Sequence, residues 1–444
     1  MKVGFISLGC PKNQVDTEIM IAIMKKAGYK IVDGLEKADI IIINTCGFIN
    51  DAKEEAINTI IETGKMKERG RLQFLLATGC LAQRNGQELL DEMPELDGVV
   101  GISFFTEIDK VILRVREGER VILIGEPPQV FMEKGPRILT TPAGSAYLKI
   151  TEGCNNRCSY CAIPLIRGNL RSRPRDEIVM EAQELVARGV RELVVLGQDT
   201  AMYGADLVGK GDLTRLLKEL VAIDGLEWIR LMYLHPAHID QQLIDTIAGE
   251  DKVLPYLDIP VQHASNRVLK NMNRKHDADQ LNSLMRNLHK QVDKLVLRTT
   301  VMLGFPGESE DDFKSLYDFV KETEFDWLGA FVFAPEEGTA AFTMPEQVSE
   351  EIKLERRDAI MRLQKTITRK KNMTRLNKNE KILISSQLSQ NLFIGRGYFQ
   401  APGVDGITMV KSGAKLVKGN FINVRLKGIR NYDMIGEPAD EYSE

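Results

Sequence analysis

The pattern of apolar and polar positions changes period several times along the chain. VGFISL is a short apolar run, and TEIMIAIMKKAGY repeats its apolar positions at helical spacing before a glycine stop. ADIIIIN is a continuous aliphatic run, as a strand buried on both faces requires. DAKEEAINTIIETGKMK reads as an amphipathic helix, and LQFLLAT and GVVGIS as further strands. This alternation predicts a parallel α/β sheet with helices on both faces.

From Gly118 to Ser145 the period is lost. EPPQ, EKGP and TTPAG punctuate a linker, in which VILIG adds at most one strand. A second α/β series then begins at AYLKITEG. Its strands are RELVVLG, WIRLMYL, YLDIPV, KLVLRTTVMLG and WLGAFVF, with DEIVMEAQELVARG, DLTRLLKELVAI and DQLNSLMRNLHKQV as helices between them. Six such units suit a partial or complete α/β barrel. A long basic helical segment follows from Val348 to Lys381. After it, KILISSQ, LFIGRGYFQ, GITMVKS and FINVRLKGI predict a small antiparallel β-barrel.

Composition adds bounds. The 444 residues are 43% hydrophobic and 27% charged, with a net charge of -4. That argues against a surface built throughout to grip nucleic acid. The longest aliphatic run, Ile40–Ile43, is far too short to span a bilayer, and the apolar start is too short for a signal segment. The expectation is a cytoplasmic protein without a membrane partner. In a reducing compartment six cysteines point to metal or catalysis rather than to disulfides.

Three cysteines, Cys154, Cys158 and Cys161, lie within eight residues in TEGCNNRCSYCAI. Zinc wants a fourth ligand, and no cysteine or histidine follows closely. Three thiolates on a four-iron cluster leave one iron open to a guest. In a C-x3-C-x-aromatic-C array, with Tyr160 as the aromatic, that guest is S-adenosylmethionine. An unusual zinc site is the competing reading. The other three cysteines, Cys10, Cys46 and Cys80, each follow a predicted strand directly, in FISLGC, IINTCG and LLATGC. Strand ends of a parallel sheet lie side by side where α/β folds bind ligands. Small buried hydrophobes are the alternative for any one of them. For three in the same position, a second cluster with an open iron is expected.

GCNNRCSYCAIPLIRG, SLGCPKNQVDTE and NTCGF together resemble the radical S-adenosylmethionine methylthiotransferases, over nearly the whole chain. The resemblance implies a methylthiotransferase domain with an auxiliary cluster over 1–118, a linker over 119–139, a radical core over 140–372 and a TRAM barrel over 373–444. It implies two 4Fe–4S clusters and two S-adenosylmethionine molecules, one as methyl donor and one as radical source. Within the family, Pro11-Lys12-Asn13, the AIPLIRG string and QAPGVDG (Gln400 to Gly406) are similar to members that act on an aspartate β-carbon of a small-subunit ribosomal protein, the twelfth of its series. The tRNA-modifying members usually differ at these places. A reductant such as flavodoxin or ferredoxin is implied as well.

Around the cofactor, Gly197 and Gln198 precede Asp199 where related enzymes carry a Gly-Glu motif for the methionine amino group. Here Gln-Asp stands instead, which leaves the contacting side chain open. Arg298 and Thr300, in LRTTVMLGFPGE, resemble the strand that meets ribose and carboxylate. Gly304, Pro306 and Gly307 shape the turn behind it. His235 and His263 end predicted strands and either line the cavity or hold structure. GRGYF (Gly395 to Phe399) suits base stacking or ordinary packing. GADLVGKG (Gly204 to Gly211) is rejected as a phosphate loop, since it lacks the Ser/Thr after its lysine.

Overall fold

A computed structural model describes residues 1–132, 135–207 and 212–439. The end of the rejected phosphate loop, 208–211, lies outside the described residues. The chain forms two compact units. The first gathers Met1–Thr140, Thr151–Ser172 and Ala334–Phe342. The second gathers Thr141–Ile150, Arg173–Phe333 and the chain from Thr343 on. These units cut across the expected boundaries: the segment with the three-cysteine array packs with the N-terminal sheet.

The first unit is built on a six-stranded parallel sheet. Its order is Lys30–Ile31, Lys2–Ser7, Ile40–Thr45, Phe74–Gly79, Gly98–Val100, Val121–Leu123. VILIG therefore supplies the last strand of this sheet, beyond the expected boundary at 118. Ile40 to Ile43 are fully buried, because helices cover both faces of a central parallel strand. The strand order reverses between Lys2–Ser7 and Ile40–Thr45. At such a switch point the connections leave toward opposite faces and open a crevice at the carboxyl ends. The register is level there: Ser7 pairs with Asn44, and Asn44 with Thr78.

The second unit contains six parallel strands in sequential order: Ser145–Lys149, Glu192–Leu196, Trp228–Leu231, Val253–Asp258, Val296–Leu303 and Trp327–Val332. The two outer strands do not pair, so the barrel is partial. Helices Gln241–Gly249 and Glu310–Thr323 complete its outer layer, and neither was picked out by period alone. Helix Glu350–Met373 then leads to a closed five-stranded barrel. Its last strand, Asp433–Pro438, lies between Thr408–Lys411 and Phe421–Arg430 and closes the ring.

The small barrel is fastened to the strands of the partial barrel by buried polar groups. Glu192 accepts from Arg230 Nε at 2.9 Å and from Arg396. Burial works against its charge, but Arg396 and Arg230 hold its carboxyl down to about 2. Tyr256 donates to Asp405 Oδ2 at 2.7 Å, and Trp327 Nε1 donates to the Phe399 carbonyl at 2.6 Å. QAPGVDG and GRGYF thus serve this junction. Phe399 is fully buried beneath the Arg375 guanidinium, which removes it as a base-stacking surface. Among the described residues no helix is long and apolar enough to cross a membrane.

Candidate metal centre

All six cysteines are thiols, and all six belong to the first unit. Cys10 caps helix Pro11–Lys26, Cys46 follows strand Ile40–Thr45, and Cys80 opens helix Cys80–Glu92. Gly9 has φ +82°, and a Cβ there would stand 2.6 Å from Cys46 Cβ. Any side chain at this position would fill the space into which the cysteines turn.

One side chain ties these strand ends together. Asn13 Nδ2 donates to the Leu8 carbonyl at 3.1 Å and to the Thr45 carbonyl at 2.9 Å. Those carbonyls precede Cys10 and Cys46. Asn13 Oδ1 stands 3.7 Å from Cys80 Sγ and accepts from Arg167 Nη2 at 2.7 Å. Arg167 also approaches Cys80 Sγ at 3.5 Å. The sequence offered Asn13 and Arg167 only as parts of motif strings; their roles depend on contacts between distant segments.

The array is held differently. Strands Thr151–Glu152 and Arg171–Ser172 pair antiparallel and close its loop. The Cys154 N–H donates to the Gly168 carbonyl at 3.1 Å, and the Cys161 N–H to the Cys158 carbonyl at 3.1 Å. The Asn156 N–H points at Cys154 Sγ at 3.5 Å. Gly153 has φ +70°, and a Cβ there would stand 1.9 Å from the Asn169 carbonyl oxygen. Tyr160 is half-buried in the turn between Cys158 and Cys161.

The donor chemistry fits iron–sulfur clusters. Four-coordinate zinc binds sulfur at about 2.3 Å, which crowds its thiolates to roughly 3.8 Å of one another. Among the described residues, the one group of three metal-capable side chains within 4.8 Å is Asp199, His235 and His238. Each triad offers three cysteine sulfurs, the donor set of a four-iron cluster with one open iron. Burial and the neighbouring Cys80 push the Cys46 thiol up to about 12. Burial and Cys158 do the same to Cys161. Burial raises Cys80 too, against the pull of Arg167. Such thiols stay protonated at neutral pH until a metal displaces the proton.

The remaining expected residues lie in the second unit. The Gly197 N–H donates to Thr200 Oγ1 at 3.0 Å and fixes the turn after strand Glu192–Leu196. Asp199 is buried and committed to the next loop. It accepts from the His235 N–H at 3.3 Å and stands 2.7 Å from His238 Nδ1. Of the Gln-Asp pair, Gln198 is the half-exposed member. Arg298 is charge-paired within the second unit. It is the third residue of its strand, and its guanidinium is taken by Asp258 at 3.0 Å and Asp405 at 3.3 Å. Thr300 lies further along, half-buried.

His263 is fully buried, accepts from the Ser265 N–H at 2.9 Å and stands 3.5 Å from Glu308, which is a structural role. His235 accepts from the Ala237 N–H at 3.2 Å and packs its ring against His238 and His276. Burial, with Arg274 behind it, drives His235 far below its ordinary range.

Comparison with known proteins gives the class first. Residues 2–101 match the Uncharacterized protein family UPF0004, residues 148–320 the Radical SAM superfamily and residues 378–438 the TRAM domain. The radical S-adenosylmethionine methyltransferase TsrM from Kitasatospora setae shares the fold at a TM-score of 0.55, with 14% identity over 74% of this chain and 72% of that one. A ribosomal protein uS12 methylthiotransferase RimO from Syntrophomonas wolfei is 60% identical over 98% of this chain and 100% of its own length. The protein of the same name from Clostridioides difficile is 45% identical over 98% of each. The chain belongs to the RimO family of radical S-adenosylmethionine enzymes.

Proposed function

We propose that the protein replaces one hydrogen on the β-carbon of an aspartate in ribosomal protein uS12 with a methylthio group. Cys154, Cys158 and Cys161 would hold one 4Fe–4S cluster, and Cys10, Cys46 and Cys80 the other. When bound, the clusters supply one-electron cleavage of one S-adenosylmethionine at the array, and a site for sulfur and for the methyl group of a second at the first triad. The observation that carries the reading is the gathering of both triads in one compact unit, bridged by Asn13, Arg167 and Glu152. A simple electron carrier has no need of two sites with three ligands each.

The chain's own residues bind, orient and exclude water. Tyr160, Gly197, Gln198 and Thr300 are each proposed to contact S-adenosylmethionine, and Asp199 holds the turn that carries Gly197 and Gln198 through His235 and His238. A flavodoxin or ferredoxin is the proposed electron donor, and the cytoplasm the proposed location. The test is a substrate contest under anaerobic conditions with dithionite, sulfide and S-adenosylmethionine. One tube holds uS12 and the other adenosine-modified tRNA. Mass spectrometry should find the methylthio group on a uS12 aspartate. A product on tRNA alone would overturn the reading.

A further inference from the structure

Arg167 ligates nothing, yet its side chain is 1% exposed and one of the largest buried groups in the protein. It sits six residues beyond the last cysteine of the array, at the end of helix Ile163–Arg167. Its Nη1 donates to Glu152 Oε1 at 2.6 Å, just before the array. Its Nη2 donates to Asn13 Oδ1 at 2.7 Å, and stands 3.4 Å from Asp16 Oδ2 and 3.5 Å from Cys80 Sγ. A guanidinium is planar, always charged and forked, so one side chain can serve two segments at once.

The surrounding charges say what this cation is for. Asp16 and Glu152 are buried beside Arg167, and Lys12 is buried among the same groups. Ligation by Cys10, Cys46 and Cys80 then adds negative charge beside Arg167. Reduction adds one more unit, in a site with little water to screen it. Potentials of such clusters follow net charge, hydrogen bonds to sulfur and solvent exposure.

Building on the two-cluster reading, we propose that Arg167 is a positioning residue of the first site: it stabilises the reduced state of the cluster held by Cys10, Cys46 and Cys80, raising its reduction potential, and suspends the array segment from that site through Glu152. The electron comes from the external reductant and stays on the cluster; no bond is made or broken.

The test uses the full chain carrying Cys154→Ala, Cys158→Ala and Cys161→Ala, reconstituted anaerobically, so that only the first site holds iron. The readouts are iron content and the midpoint potential from a titration followed by electron paramagnetic resonance. If this parent binds no iron, the two-cluster reading fails and the proposal with it. With the parent loaded, Arg167→Gln should lower the midpoint potential and Arg167→Lys should restore most of the difference. An unchanged potential in loaded Arg167→Gln overturns the proposal and leaves the two-cluster reading intact. If Arg167→Gln does not hold iron, Arg167→Lys decides. Retained iron supports the role of charge. Loss as complete as in Arg167→Gln overturns it, since the charge was kept.

Discussion

The two cysteine triads reach the same donor set by opposite routes. The array spans eight residues, and its loop is closed by its own short strand pair and by backbone hydrogen bonds within 151–172. The first triad spans 71 positions, and its members meet because three adjacent parallel strands end level with one another. The array can be broken locally. The first triad depends on the sheet, on the turn at Gly9 and on the Asn13 side chain.

The largest effect should come from Cys158→Ala. With one array ligand gone, formation of 5′-deoxyadenosine should fall by at least ~100-fold, on the order expected when a principal catalytic group is removed. The first triad should keep its share, about half the iron of the reconstituted protein, since each site would hold about four irons. Iron assay with product chromatography measures both. Loss of all iron would mean the sites are not independent in assembly.

Cys46→Ala is the converse. Methylthio product should disappear while 5′-deoxyadenosine still forms from S-adenosylmethionine, because the array keeps its ligands. Chromatography of the small-molecule products separates the two variants. If the nucleoside is lost as well, the triads do not have separate tasks.

Asn13→Ala should be milder. It leaves every sulfur in place but removes the link between the turns before Cys10 and Cys46. Loss of an outer partner of this kind typically costs about 10–100-fold in metal affinity. Chelator competition in the array-less background would read this. Equal affinity with and without Asn13 would show that the sheet alone aligns the ligands.

The smallest effect on iron is expected far from the triads. Glu192→Gln should leave both iron counts unchanged while destabilising the second unit by about 3–5 kcal/mol, since two buried guanidinium groups lose their carboxylate. The native protein should also be acid-labile through this group. Its carboxyl is held at about 2 in the fold, below the ordinary value of 4.5. The stability it contributes is therefore present above about 4.5 and is lost as the pH falls toward 2. Urea unfolding across that window, with and without the substitution, should show the native slope and its flattening in Glu192→Gln.

By itself the sequence determined the local features. Aliphatic runs such as IIIIN announce strands, because burial on both faces requires apolar residues at both parities. The array was visible because its ligands are neighbours in the chain. The position of Cys10, Cys46 and Cys80 was legible at one remove, through the rule that parallel strand ends lie together. Only the tertiary structure decided the rest. It set Asn13 between three segments, paired Arg298 with Asp258 and Asp405, and buried Phe399 beneath Arg375. It also drew the array into the first unit, where Arg167 reaches Cys80. A polar side chain's partner is chosen by geometry across long sequence separations, and the spacing of residues carries no record of that choice.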